Sequence, residues 1–312
     1  MFEEALSLIE SFDTIIIHRH KNPDGDAIGS QTGLYNIIKT NYPQKSIYMV
    51  GDDCGRYAFI AGRPMNIVPD STFENALSII LDTSAKVLIS DARYEKAAKT
   101  LRIDHHLFVE KIADVEITDT SFESCAGLIT QMAMECNLQV SKEAASALFA
   151  GMVTDSGRFR FDCTSAGTFR RAGFLKDRGI DTNAIYSALY ATTIGEMKLK
   201  ASFIEKIEFT QKNVAYYYIT KAELEKLGLS AHNAARGYVN TMADMKGVII
   251  WAAFAEGEEG ILCELRSAGP DINSIAVRYG GGGHRKASGA TLKDRQTVEA
   301  MLRDLDETAD KW

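Results

Sequence analysis

Histidine and aspartate residues form two tight groups in the N-terminal half of this sequence. The first group is HRHKNPDGD (18–26) and the second is DHH (104–106). Each directly follows an apolar run with the composition of a strand. Because ligands of open α/β sheets bind beyond the carboxyl ends of the strands, both groups stand where a functional site is expected.

Two further aspartates extend this set. Asp82 ends the apolar run SIILD (78–82), and Asp155 follows an apolar helical stretch in GMVTDSGRF (151–159). Taken singly, these fragments also have structural explanations, because an aspartate at a strand end often caps a turn and Thr-Asp-Ser-Gly is itself a turn sequence.

The same structural alternative applies to part of the histidine groups. Asn-Pro-Asp-Gly is strong turn chemistry, and Asp26 is a candidate helix N-cap. The pair His105-His106 favours function, because adjacent side chains point in different directions and two imidazoles beside an aspartate indicate two separate tasks.

Together, these carboxylates and imidazoles make an oxygen and nitrogen donor set. Such donors suit Mn²⁺ or Mg²⁺, whereas nothing indicates a thiolate zinc site. A paired site needs one carboxylate that bridges two ions about 3.5–4 Å apart, which orients a water and stabilises charge on phosphate oxygens. The pattern therefore favours metal-assisted chemistry on a phosphate group.

The composition describes a folded chain without covalent cross-links. The 312 residues are 46% hydrophobic, and the five cysteines are scattered without a CxxC pair or a signal peptide, which predicts a cytoplasmic protein. No apolar run approaches the roughly 20 residues of a membrane span. A net charge of −7 argues against tight binding to long nucleic acid. The sequence leaves a homodimer open.

The elements that must position these residues alternate along the first part of the chain. Short apolar runs alternate with helical stretches, which predicts an α/β domain with a mostly parallel sheet and helices on both faces. Helical patterns continue from about 124 to 190. The strand candidates are TIIIH (14–18), SIYMV (46–50), SIILD (78–82) and KTLRID (99–104).

A second, smaller domain of α+β type is expected beyond the helical stretch. We predict a first domain over 1–190, a connecting helix over 191–205 and a second domain over 206–312. The second domain has strand candidates in FTQKNVAYYYIT and KGVIIWAAF, and EGEEG (256–260) is typical of a hairpin turn. An amphipathic helix from about 294 closes the chain.

The linked motifs resemble those of the DHH phosphoesterase family. In the first domain, HRHKNPDGDAIGS (18–30), LDT (81–83), IDHH (103–106) and TDSGRF (154–159) match the family's successive motifs. The stretch RSAGPDINSIAVRYGGGGHRKASGA (266–290) resembles the DHH-associated C-terminal domain. Length and domain pairing most resemble the branch of small nanoRNases that also act on 3′-phosphoadenosine 5′-phosphate (pAp).

The resemblance implies a role for each matching residue. It makes His20 and Asp24 ligands of one ion, and Asp82 the bridging carboxylate. The ligands that it implies for the second ion are Asp26, His105 and Asp155. It places His18 outside the metal positions.

Other matching positions imply contacts with substrate. His106 resembles the histidine that touches the scissile phosphate, and Asp104 is expected to orient a neighbouring imidazole. Residues expected to hold a terminal phosphate are Arg266, Ser267, Gly282, Gly283 and His284. Arg158 is a further candidate, with an exposed surface arginine as the alternative.

Two departures from the family pattern concern substrate preference rather than the ligands. Leu107 follows DHH where many relatives have proline, and Arg285-Lys286 follow GGGGH where proline and an apolar or small residue are expected. Added cations there would favour phosphate-rich ligands, or would simply face solvent.

The resemblance implies hydrolysis with two divalent ions, expected to be Mn²⁺ with Mg²⁺ as the alternative, at a site in the interdomain cleft. Expected substrates are pAp and oligoribonucleotides of about two to five units, with no long duplex nucleic acid and no membrane as partners. One alternative is a stand-alone phosphodiesterase for cyclic or linear di-adenylates. Another is a non-catalytic nucleotide- or RNA-binding module, for which YYYIT (216–220) would be core or stacking surface.

Overall fold

Five short strands form an all-parallel sheet in the computed structural model, which describes residues 2–312. The order in the sheet is β2-β1-β3-β4-β5. Every residue of β3 is buried, as expected for a strand that is covered by helices on both faces. The strands are β1 (Thr14–His18), β2 (Ser46–Met49), β3 (Leu77–Leu81), β4 (Lys99–Asp104) and β5 (Val115–Thr118).

The register brings the ends of three strands together. His18 at the end of β1 pairs with Ile80, and Leu81 at the end of β3 pairs with Ile103 of β4. The chain runs from β1 to one neighbour, β2, and later returns on the other side as β3. The strand order therefore changes direction at β1, and such a switch point is where open α/β sheets bind ligands.

Helices complete the unit that ends at Ala191. They are α1 (Glu3–Ser11), α2 (Gly25–Asn41), α3 (Ala58–Ala61), α4 (Cys125–Glu135), α5 (Lys142–Asp155), α6 (Ala166–Lys176) and α7 (Thr182–Tyr190). Short 3-10 helices span Gly55–Tyr57, Asp70–Thr72, Lys86–Leu88 and Ala92–Lys96.

Glycines let α2 and α5 pack closely. A Cβ on Gly29 of α2 would lie 2.7 Å from the carbonyl oxygen of Ala147 and 2.9 Å from Cα of Gly151, both in α5. A Cβ on Gly151 would lie 2.9 Å from Oδ1 of Asp26. The beginning of α2 therefore lies beside the last turns of α5, where Asp155 is found.

The second unit, Thr192–Trp312, contains a six-stranded mixed sheet in the order β10-β11-β9-β8-β7-β6. Its strands are β6 (Glu208–Phe209), β7 (Ala215–Ile219), β8 (Ile250–Glu256), β9 (Ile261–Ser267), β10 (Gly282–His284) and β11 (Ala287–Leu292). Its helices are α8 (Ile194–Ile204), α9 (Lys221–Leu227), α10 (Ala231–Tyr238), α11 (Asn273–Arg278) and α12 (Arg295–Asp310), with a 3-10 helix over Val239–Met242.

The predicted fold class is confirmed: a parallel sheet flanked by helices is followed by a smaller α+β unit. The predicted hairpin is present, since β8 and β9 pair antiparallel and Gly257 N–H donates to the carbonyl of Gly260. The four-residue strand β5 was not predicted. Among the described residues, no helix has both the length and the apolar character of a membrane span.

Candidate metal centre and phosphate-binding residues

Asp82 lies at the middle of the candidate metal centre. It follows β3 directly and adopts a left-handed backbone conformation with φ of 52°, which is uncommon outside glycine but tolerated by aspartate. Its Oδ2 lies 3.5 Å from Nε2 of His20, and its Oδ1 lies 3.5 Å from Nε2 of His105. The two carboxylate oxygens therefore face two different histidines.

The described residues contain three groups whose ligand atoms lie within 4.8 Å of one another. Asp82 belongs to two of them, and His105 also belongs to two. The groups are His20 with Asp24 and Asp82, Asp26 with His105 and Asp155, and Asp82 with His105 and His106. All six residues expected to bind metal are thus brought together.

A buried arginine holds the loop that carries His20 and Asp24. Arg19 is fully buried, and its guanidinium donates to Oδ1 of Asp52 at 2.8 Å and to the backbone carbonyl of Asp52 at 2.6 Å. The other oxygen of Asp52 accepts from the backbone N–H of Asn22 at 2.8 Å. The loop between the two candidate ligands is therefore tied to the segment that follows β2.

Two helix N-termini fix the neighbouring aspartates. Asp24 is the N-cap of α2 and accepts from the backbone N–H of Asp26 at 3.0 Å. Asp26 in turn accepts from the N–H groups of Cys125 at 2.7 Å and Ala126 at 2.9 Å, at the start of α4. Helix N-termini favour negative charge, so each one suits the carboxylate that it holds in place.

His105 links Asp26 and Asp155. Its Nε2 lies 3.8 Å from Oδ2 of Asp26 and 3.3 Å from Oδ2 of Asp155. Its Nδ1 lies 3.3 Å from the backbone carbonyl of Phe122. A hydrogen bond to that carbonyl would place the proton on Nδ1 and leave Nε2 as the ligand atom.

His106 points elsewhere, as adjacent residues after a strand should. Its Nδ1 lies 2.7 Å from Oδ1 of Asp104, which is fully buried and is also paired with Arg102. The hydrogen bond to Asp104 raises the pKa of His106 and favours the charged imidazolium. The ring is nearly half exposed, so it is accessible to a substrate.

The charges in the cluster are strongly linked. Burial lowers the pKa of His20, but the neighbouring carboxylates of Asp24 and Asp82 outweigh it and raise the pKa to about 11. Burial also lowers the pKa of His105, but the nearby carboxylates of Asp82 and Asp26 outweigh it and raise the pKa to about 10. Burial, together with the charge of Asp82, raises the pKa of Asp155 to about 7.

These features fit a site for cations. Oδ1 of Asp82 is buried and has no hydrogen-bond partner in the described part of the chain. Burial and the neighbouring carboxylates of Asp82 and Asp155 raise the pKa of Asp26 well above its usual range. Bound divalent cations would offset this repulsion, and oxygen and imidazole donors are the ligands that such ions prefer.

Two other residues lie outside the three groups. His18 is fully buried, with Nε2 3.1 Å from the hydroxyl of Ser78, and burial lowers its pKa to about 4. It is a neutral core histidine near neutral pH. The exposed Arg158 places its guanidinium 3.8 Å from the ring centre of Tyr190.

In the second unit, the register aligns two of the predicted phosphate-binding residues. His284 of β10 pairs with Ala287 of β11, and Ala287 pairs with Arg266 of β9. Residues directly opposite in antiparallel strands share a face, so His284 and Arg266 flank Ala287 on one face of the sheet. Ser267 points to the other face, and its hydroxyl donates to the carbonyl of Pro270 at 2.5 Å.

The second half of the glycine run lies in a strand rather than a loop. Gly282 and Gly283 belong to β10, which pairs with β11. Gly283 has φ of 137°, and a Cβ there would lie 2.6 Å from the carbonyl oxygen of Ala287. Gly283 is therefore required by the close approach of two strands, whereas a Cβ on Gly282 would have no atom of the described residues within 4 Å.

Sequence reasoning missed Arg19 and Asp52. Arg19 stands between His18 and His20, directly after an apolar strand. A cation at such a position could have indicated a buried acidic partner. Nothing in the sequence singled out Asp52, which lies 33 positions from Arg19.

A parallel sheet that ends in paired carboxylate and imidazole groups, followed by a mixed-sheet unit, defines a class of two-domain, metal-dependent phosphoesterases. The chain belongs to the DHH family. The model of the DHH family N-terminal domain matches residues 14–152, and that of the DHHA1 domain matches residues 211–311.

Relatives extend over nearly the whole chain. The bifunctional oligoribonuclease and PAP phosphatase NrnA of Bacillus subtilis (strain 168) is 35% identical over 309 residues, covering 98% of each chain. The probable enzyme of the same name from Streptococcus mutans is 33% identical, with 97% and 98% covered. A cyclic-di-AMP phosphodiesterase, GdpP of Geobacillus thermodenitrificans, is 27% identical over 94% of this chain but 47% of its own length.

A solved structure supports the fold. An exopolyphosphatase-related protein from Bacteroides fragilis is 25% identical, with a TM-score of 0.85 and coverage of 99% of this chain and 97% of that one.

Proposed function

We propose that this protein hydrolyses short oligoribonucleotides to mononucleotides and converts pAp to AMP. The observation that carries the proposal is the position of Asp82, which faces His20 with one oxygen and His105 with the other. The full-length similarity to the Bacillus enzyme supports the substrate class.

Two divalent ions, with Mn²⁺ proposed over Mg²⁺, would be held by these residues. His20 and Asp24 would hold one ion, and Asp82 would contact both. The ligands proposed for the other ion are Asp26, His105 and Asp155. When bound, such ions lower the pKa of water and stabilise charge on phosphate oxygens.

His106 would act on the leaving oxygen. Its hydrogen bond to Asp104 orients the ring and raises its pKa, so the imidazolium can donate to a developing negative charge. Asp104 acts through His106 as a positioning residue.

The second unit would hold the terminal phosphate of the substrate. Arg266 and His284 share a sheet face, and a guanidinium fork suits phosphate oxygens. Gly282 and Gly283 would let the backbone approach the anion, while Ser267 would fix the turn after β9. We propose Arg158 as an additional contact in the first unit.

The decisive experiment is turnover across a ladder of 5′-phosphorylated oligoribonucleotides and pAp, with Mn²⁺ present. We expect hydrolysis of pAp and of the shortest members, and a steep loss of activity with length. Equal activity on long strands would refute the proposed length selection.

A second candidate is hydrolysis of cyclic or linear di-adenylates, which the match to GdpP favours. Parallel assays with pAp, a 5′-phosphorylated dinucleotide and cyclic di-adenylate separate the two. A preference for the cyclic compound would replace the first proposal.

Location and assembly complete the proposal. All five cysteines are free, which suits the reducing cytoplasm. We propose that long duplex nucleic acid is not a partner. A homodimer stays a prediction, which a measurement of molecular mass in solution would test.

A further inference from the structure

A cavity of about 360 Å³ lies in the second unit, between α10 and the end of the sheet that contains β11. Its walls include His232 and Ala235 of α10, Glu264 of β9, Gly281 and Gly289. This volume is within the range of pockets that hold small organic ligands. None of the roles proposed above uses it.

The cavity adjoins the residues proposed to hold phosphate. Oε2 of Glu264 accepts from the guanidinium of Arg266 at 2.9 Å, and Gly281 belongs to the same glycine run as His284. Glu264 and Arg266 are two positions apart on one strand, so they share a face at a separation of about 7 Å. A single nucleotide can therefore place its phosphate at Arg266 and its base in the cavity beside Glu264.

The walls suit a flat polar ring. Glycine or alanine at five lining positions leaves space beside Glu264, and a Cβ on Gly289 would lie 3.6 Å from Oε1 of that glutamate. Oε1 has no hydrogen-bond partner among the described residues, whereas Oε2 is paired with Arg266. The carboxylate thus offers one free acceptor toward the cavity.

We propose that this cavity binds a nucleobase, and that Glu264 selects bases by their amino groups. The inference rests on the proposed function, because the base belongs to the nucleotide whose phosphate is held by Arg266 and His284. A carboxylate accepts from the exocyclic amino group of adenine, cytosine or guanine, and it repels the O4 oxygen that uracil presents instead.

The test uses 5′-phosphorylated dinucleotides in which the 5′ base varies and the 3′ base is constant. The wild-type protein should prefer the three amino-bearing bases over uracil by about tenfold in kcat/KM, as expected for a hydrogen bond to a charged group. Glu264→Gln should reduce this preference to within about threefold, because an amide can also donate to O4.

Three controls separate the possible explanations. Glu259→Gln, in the exposed loop between β8 and β9, should keep the wild-type preference. Varying the 3′ base instead should show no effect of Glu264→Gln. Inhibition of the wild-type protein by the four nucleoside 5′-monophosphates should follow the same base order, which needs no substituted protein.

An unchanged base preference in Glu264→Gln, with a uniform rise in KM, would overturn the inference and restrict Glu264 to orienting Arg266. Equal inhibition by all four monophosphates would also overturn it. Hydrolysis of no dinucleotide by the wild-type protein would instead refute the proposed function.

Discussion

Arg19 donates to Asp52 twice, once to the carboxylate at 2.8 Å and once to the backbone carbonyl at 2.6 Å. The guanidinium also donates to Gln31 at 3.0 Å, and Gln31 bonds the carbonyls of Ile17 and Val50 at the ends of β1 and β2. The loop with His20 is therefore fixed to the sheet through one buried cation.

Asp52→Asn should weaken metal binding more than catalysis. The change keeps the shape of the side chain but removes the charge opposite Arg19, so His20 and Asp24 would be less well positioned. We expect the Mn²⁺ concentration for half-maximal activity to rise about 10- to 100-fold, as for other groups that orient metal ligands. Calorimetric titration of the metal-free protein with Mn²⁺ should show the same loss of affinity.

Asp53→Asn is the matched control, because Asp53 bonds the backbone N–H of Gly55 rather than Arg19. Its Mn²⁺ affinity should equal that of the wild type. If Asp52→Asn lowers activity equally at all Mn²⁺ concentrations, the loop is not held for metal binding.

Asp82→Asn should abolish most turnover while the protein remains folded. Asparagine also tolerates the left-handed backbone of this position, so the substitution mainly removes charge. We expect a loss of more than about a hundredfold, exceeding that of an orienting residue. Asp119→Asn, in the loop after β5, should stay near wild-type activity. Near wild-type turnover in Asp82→Asn would remove its bridging role.

Stability without metal should fall as pH rises above neutrality. The pKa values of His20 and His105 are raised to about 11 and about 10, so the folded state binds these protons more tightly than the unfolded state does. This stabilisation is complete below about pH 6.5 and is lost toward pH 10–11. Bound ions need neutral imidazoles, so stabilisation by Mn²⁺ should grow over the same range.

Thermal unfolding with and without Mn²⁺, at several pH values from about 6 to 9, measures this effect. If the difference in Tm between the protein with Mn²⁺ and the protein without it did not change with pH, the predicted linkage would be contradicted.

Two helical glycines, one closely packed and one with open space around it, give opposite predictions for substitution by alanine. Gly151→Ala should cost about 1–3 kcal/mol, because the new Cβ would lie 2.8 Å from Cβ of Ala126 and 2.9 Å from Oδ1 of Asp26. Gly173→Ala in α6 should stabilise by about 0.5–1 kcal/mol, since nothing lies within 4 Å and alanine favours helices. Urea unfolding measures the change in the free energy of unfolding for both variants. Equal changes would show that α5 shifts to accommodate the added methyl group.

Much of the parallel sheet could be predicted because its strands are continuous apolar runs. The candidate ligands could be predicted with it, since every parallel strand ends at the same edge and brings its following residue there. The strand β5 was missed because VEIT is four residues long and Glu116 interrupts its apolar pattern. Pairing with β4 stabilises this strand, although its own composition does not favour one.

Contacts between distant residues account for most of the remainder. The pairing of Arg19 with Asp52 depends on how β1 and β2 align, which no local pattern encodes. Consecutive glycines are typical of flexible turns, yet pairing with β11 places Gly282 and Gly283 in a strand. Composition describes what a segment permits, and its neighbours decide which conformation it takes.

The left-handed backbone at Asp82 also limits how this protein can change over generations. Glutamate carries the same charge, but its longer side chain lacks the tolerance for that conformation that aspartate and asparagine share. In a library of all substitutions at position 82, folding alone would enrich glycine, asparagine and aspartate. Selection for activity would then leave aspartate. The backbone conformation and the need for a carboxylate therefore restrict position 82 independently.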